Sequence, residues 1–138
     1  MKFREIVTGL NLSKKLKKVG ISQTGIYYHV QNIEYGLIRT AKQNELSDTT
    51  FGKCRVLCRA FTSSELIEEL PKEIEYRSLD AGHLQETKLQ FMIGHTPKGL
   101  LHASYIKCSG AIKYTEVNAN LPKALGRLYL DLKRRGLI

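Results

Sequence analysis

Tryptophan is missing from this chain, methionine occurs twice, and proline and cysteine three times each. Three cysteines with no export signal ahead of them argue against a disulfide framework and for a reducing compartment. No run approaches the ~18 apolar residues that a membrane-spanning helix needs, and Met1 to Glu5 is too short and too charged for an export signal. The expectation is a cytoplasmic protein with no membrane partner. Few prolines and no low-complexity tract leave no sign of a linker, so the 138 residues read as one domain.

Acidic residues are also scarce: 13 against 22 Lys and Arg, for a net charge of +9. The excess is uneven. Residues 1–60 carry +7, residues 61–100 carry −3, and residues 101–138 carry +5. Basic ends around an acidic middle favour an anionic partner such as a nucleotide or nucleic acid.

Periodicity gives the elements. Leu121, Leu125, Leu128 and Leu132 recur at steps of four, three and four, the spacing of an amphipathic helix. Asn120 is placed to cap it, Pro122 suits its first turn, and Gly136 can close it with Leu137 folded back. On the helical wheel Leu130 falls about 180° from that stripe among Lys and Arg, a position that points to an exposed contact for a homo-oligomer or another partner. Asn11 to Val19 is a shorter helix that carries Lys14, Lys15, Lys17 and Lys18. Thr62 and Glu65 have capping-box spacing, with Phe61 placed to staple onto Leu66 and Pro71 to end the helix.

Strands are expected over Gly25–Gln31, Leu37–Ala41, Lys53–Arg59, Glu73–Leu79, Lys88–Ile93, Leu100–Lys107 and Ala111–Val117, with a loop over Gln43–Gly52. The predicted class is α+β: an antiparallel sheet of about five strands with helices packed on one side and the amphipathic helix at the C-terminus.

Chemistry is sparser. Four histidines are scattered singly, and on a strand Cys54 and Cys58 would lie about 13 Å apart, too far to share a metal. Lys53, Arg55 and Arg59 beside those cysteines could lower a thiol pKa, but no partner base accompanies them. His102-Ala103-Ser104 is half of a paired His-x-Ser/Thr phosphodiesterase signature without its second copy. There is no phosphate-binding glycine loop and no nucleophile elbow. No catalytic residue, metal or cofactor is therefore assigned, and the enzyme reading stays open behind a binding one.

For binding, alternation in Lys53–Arg59 would put three cations in a row on one face of a sheet, and Tyr27 and Tyr28 give each face of their strand a ring for base stacking. The nucleotide-site set is Tyr27, Tyr28, Arg39, Lys53, Arg55, Arg59, His95 and Lys98. The alternative is a nucleic-acid surface on Lys14, Lys15, Lys17 and Lys18.

Three stretches in order, Leu12 to Gly20 running on to Tyr27-Tyr28, Ala60 to Pro71, and Ala124 to Leu132 ending in Gly136-Leu137-Ile138, resemble a family of small uncharacterised phage and prophage proteins. The chain departs from that family in lacking Trp and in its high positive charge. The resemblance implies a phage-type accessory protein acting by binding. The leading expectation is a non-enzymatic binder of an anionic nucleotide-type ligand, sequestering a host defence signal. A DNA- or RNA-binding accessory protein and an inhibitor docking on a host enzyme are the alternatives.

Overall fold

A computed structural model describes residues 6–46, 53–80 and 82–138. Helix α1 covers Leu10–Lys18, β1 Tyr27–Asn32 and β2 Ile38–Lys42, followed by a 3-10 turn over Gln43–Glu45. Then come β3 (Cys54–Ala60), α2 (Ser63–Glu69), β4 (Glu73–Asp80), β5 (His83–His95), β6 (Leu101–Ile106), β7 (Ile112–Asn118) and α3 (Leu121–Arg134). Of the expected Gln43–Gly52 loop, residues 47–52 lie outside the described residues, as do residues 1–5 and 81.

The class is α+β and every pairing is antiparallel, in two sheets: β2-β1-β3 and β4-β5-β6-β7. The sequence reading grouped about five strands in one sheet; the seven fall into a three and a four because β3 leads into α2 rather than pairing with β4. Among the described residues no helix is long and apolar enough to cross a membrane.

The helix ends follow from local chemistry. Thr62 Oγ1 accepts the Glu65 amide at 3.2 Å while Glu65 Oε1 accepts the Thr62 amide at 3.0 Å, closing the capping box. Phe61 and Leu66, the staple pair, are both fully buried in the main core. At α3, Asn120 Oδ1 accepts the Lys123 amide at 3.1 Å. At the far end Gly136 takes φ 70°, and the Leu137 amide reaches back to the Leu132 carbonyl at 3.0 Å.

The larger core lies between α3 and the four-stranded sheet, with α1 and α2 at its borders. Leu125, Leu128 and Leu132 of α3 meet Leu89 and Tyr105 of the sheet and Leu66 of α2, all fully buried. Each such leucine contributes roughly 1.5–3 kcal/mol by leaving water. Tyr105 donates its hydroxyl to the Pro71 carbonyl at 2.6 Å, and burial pushes that phenol's pKa up. Tyr28, Val30 and Ala41 form a smaller core on one face of the three-stranded sheet.

One expectation is overturned. Leu130 is not exposed: it retains 5% of its surface. The wheel assumed a single apolar stripe, but α3 is covered on two sides, by the sheet and by α1. Gly126, one turn before Leu130, lets α1 come close; a Cβ there would stand 2.8 Å from Leu12 Cδ2. Leu130 is thus used within the monomer and is not an exposed residue for a homo-oligomer contact.

Candidate anion-binding groove

α1 and α3 are 102 residues apart in sequence, counting from Lys18 to Asn120, and meet through Leu12 and Gly126. Beside that contact lies a groove of about 600 Å³, floored by Leu12 and Leu130, into which Lys15, Lys123, Arg127 and Arg134 converge. Lys123, Arg127 and Arg134 share one flank of α3 because steps of four and seven return to the same side. Lys15 faces them because Leu16, fully buried beside it, fixes the roll of α1.

Several cations elsewhere are engaged: Arg59 with Glu65, Lys88 with Glu73, Arg135 with Asp131, Arg55 with Gln31, and Lys113 over the Tyr76 ring at 4.3 Å. Among the described residues, the side-chain heads of Lys15, Lys123, Arg127 and Arg134 make no ion pair, hydrogen bond or ring contact. Asp131 lines the groove but is held by Arg135, with both carboxylate oxygens 3.1 Å from Nε. Glu116 is the other carboxylate of the lining. The balance is cationic.

The lysines of α1 divide around the helix. Lys15 enters the groove, whereas Lys17 donates to the Leu57 carbonyl at 3.0 Å. Leu57 is the extra residue of a β-bulge, since His29 pairs with Cys58 and Val30 with Val56. Lys14 and Lys18 are exposed.

The same bulge undoes the expected row of cations on β3. Arg59 stands opposite Tyr28 and Arg55 opposite Gln31, and because Tyr28 and Gln31 lie on opposite faces of β1, so do the two arginines. Arg55 is exposed and donates to Gln31 Oε1 at 2.7 Å. Arg59 is 6% exposed, ion-paired to Glu65, bonded to the Ser22 carbonyl at 2.9 Å, and stacked over Phe61 at 4.4 Å. Burial raises the Glu65 pKa, but the Thr62 amide and the Arg59 guanidinium outweigh it and hold the carboxyl below its ordinary value.

The remaining members of the nucleotide set are also dispersed. Tyr28 is buried with its hydroxyl accepting the Gly25 amide at 2.9 Å, and Tyr27 is half-buried. Arg39 pairs with Val30 on β2, and Lys53 is exposed just ahead of β3. His95 and Lys98 sit in and beside the β5–β6 turn of the other sheet. These eight residues do not form one site.

Two Ser–His contacts exist among the described residues, and neither is arranged for nucleophilic catalysis. His29 Nε2 lies 2.9 Å from the Thr8 carbonyl and 3.0 Å from Ser13 Oγ, and Ser13 Oγ lies 2.6 Å from Thr8 Oγ1. A carbonyl partner requires the proton on Nε2, which removes the lone pair a general base would use. Ser13 is fully buried, so substrate has no access to it. Burial holds the His29 pKa below its usual value against the raising effect of the Thr8 carbonyl. On β6, His102 Nδ1 is 2.9 Å from Ser104 Oγ, which is 2.7 Å from Thr115 Oγ1, but Ser104 is also fully buried.

No group of three or more metal-ligating side chains occurs among the described residues. Cys58 is buried and its pKa is raised, burial outweighing the opposing charges of Lys17 and Lys14, so the basic neighbours do not make it an acidic thiol. Searches against family models, curated proteins and solved structures give no match for this chain.

Sequence reasoning singled out Lys15 but not its partners. Lys123, Arg127 and Arg134 were visible as the basic face around Leu130; what was missing was that α1 covers Leu130 and brings Lys15 beside them.

Proposed function

We propose that the protein is a non-enzymatic binder of an anionic, phosphate-bearing ligand of nucleotide type, held in the α1–α3 groove. The observation that supports this is the convergence of Lys15, Lys123, Arg127 and Arg134, which have no intramolecular partners among the described residues. Gathering like charges raises the free energy of the fold, and a bound polyanion relieves that cost. Arginines supply forked donors matched to phosphate oxygens, and lysines supply mobile point charges. A groove of about 600 Å³ lies in the size range of small-molecule sites. The serines that contact His29 and His102 are buried, which supports binding over turnover at those serines. In the phage-type setting implied by the resemblance, the role would be to sequester a nucleotide signal of the host.

Titration calorimetry with nucleoside triphosphates and cyclic dinucleotides tests this reading. Micromolar binding is expected, with loss of at least tenfold in affinity for the double variant Arg127→Ala/Arg134→Ala. No heat from the wild-type protein with any of these compounds would sink it.

Exposed Lys14 and Lys18 on α1 favour a second reading, the backbone of DNA or RNA. Six contacting cations would give a slope of about −5 in log K against log salt. A flat salt response eliminates that reading.

A further inference from the structure

The cationic groove does not end at Lys123. A second hollow of about 530 Å³ continues from it, sharing Asn11, Leu12 and Lys123 with the first, and its character is different. Apart from Lys123 it carries no charge; its lining combines Leu10 and Leu12 with the amides of Asn11, Asn118 and Asn120. Apolar walls with a few amide groups suit a flat heteroaromatic ring far better than a phosphate.

The amides differ in what they have left to give. Asn118 Oδ1 accepts the Asn120 amide at 2.9 Å, which orients the Asn118 side chain and leaves its NH₂ group as donor. Asn120 Oδ1 is committed to capping α3. Asn11 is exposed, and its side chain has no intramolecular hydrogen bond among the described residues. A side-chain amide presents a donor beside an acceptor, the complement of the amino group and ring nitrogen on the adenine edge.

Building on the phosphate reading above, we infer that the ligand spans both hollows: its phosphates lie among Lys15, Arg127 and Arg134, and its nucleobase lies in the Leu10–Leu12 hollow, read by Asn11 and Asn118. Lys123, common to both, sits where base-bearing sugar and phosphate join. The class is a nucleotide whose base offers an amino group next to an acceptor nitrogen, with adenine the preferred base. Inorganic polyphosphate fills only half of the site.

Calorimetry with adenosine triphosphate, guanosine triphosphate and inorganic tripolyphosphate separates the two levels of the argument. Adenosine triphosphate is expected to bind about tenfold tighter than tripolyphosphate and several-fold tighter than guanosine triphosphate, tenfold corresponding to about 1.4 kcal/mol. Asn11→Ala should abolish most of that advantage, weakening adenosine triphosphate far more than tripolyphosphate; because Asn11 is exposed and its side chain makes no hydrogen bond among the described residues, the fold should tolerate the change. Asn118→Ala is the second variant. Equal affinity for all three compounds, or equal weakening of all three by Asn11→Ala, overturns the base-binding inference and leaves the phosphate groove standing. No binding of any of the three overturns the phosphate reading itself.

Discussion

Gly25 lies directly over the Arg59–Glu65 pair, and replacing it with alanine is the sharpest probe of that buried node. A Cβ at Gly25 would stand 2.1 Å from Arg59 Nε and 2.8 Å from both Arg59 Cζ and Glu65 Oε2. The guanidinium would have to retreat by more than about 1 Å to restore van der Waals contact. Doing so gives up the Ser22 carbonyl at 2.9 Å, the Glu65 carboxylate and the stacking on Phe61. Removing one partner of a buried ion pair costs about 3–5 kcal/mol, and Gly25→Ala should approach the lower end, about 3 kcal/mol.

In an Arg59→Ala background the arginine atoms are gone, and Glu65 Oε2 at 2.8 Å, no longer held by the guanidinium, can move aside. There Gly25→Ala should be neutral or stabilising by about 0.4–1 kcal/mol, through the lower entropy of the unfolded chain. The coupling energy is then about 3–4 kcal/mol. Urea titrations of the wild type, both single variants and the double variant at neutral pH measure it. With m values of about 1–3 kcal/mol/M, a loss of 3 kcal/mol moves a midpoint by about 1 M or more. Additivity of the two substitutions within about 0.5 kcal/mol would refute the proposed clash.

Leu130→Glu should destabilise the monomer by several kcal/mol, because it places a carboxylate where 5% of the side chain is exposed; an unchanged melting temperature would contradict the packing of α1 on α3. Gly126→Ala should be close to neutral, since the 2.8 Å contact falls on the flexible end of Leu12 and helix propensity gains about 1 kcal/mol, whereas Gly126→Leu should part the helices and abolish anion binding in calorimetry. Glu116→Gln removes a carboxylate from the groove and should tighten nucleoside triphosphate binding several-fold; weaker binding would mean that Glu116 contacts the ligand favourably. For pH, His29 has a folded pKa below its unfolded value of about 6.5, so its contribution is fully present above that pH and declines as pH falls below it. Urea midpoints between pH 7.5 and 5.5 should therefore drop more steeply for the wild type than for His29→Gln, and parallel slopes would disprove the assignment. Glu65, whose pKa is also lowered, loses its contribution in a more acidic window, below about pH 4.3.

What the sequence determined by itself was everything governed by neighbours along the chain. The capping box at Thr62 and Glu65, the Asn120 cap, the Gly136 terminus and the α+β class all depend on spacings of two to five residues. Only the tertiary structure decided how faces are used. A β-bulge at Leu57 turned Arg59 inward and separated it from Arg55, because one extra residue reverses every side chain beyond it. Packing of α1 on Gly126 buried a leucine that helical periodicity placed in solvent. That contact also set Lys15 beside Lys123, Arg127 and Arg134, a grouping with no local signature because its members come from opposite ends of the chain. Charge totals show that the chain is basic; where the charges meet depends on which helices pack together.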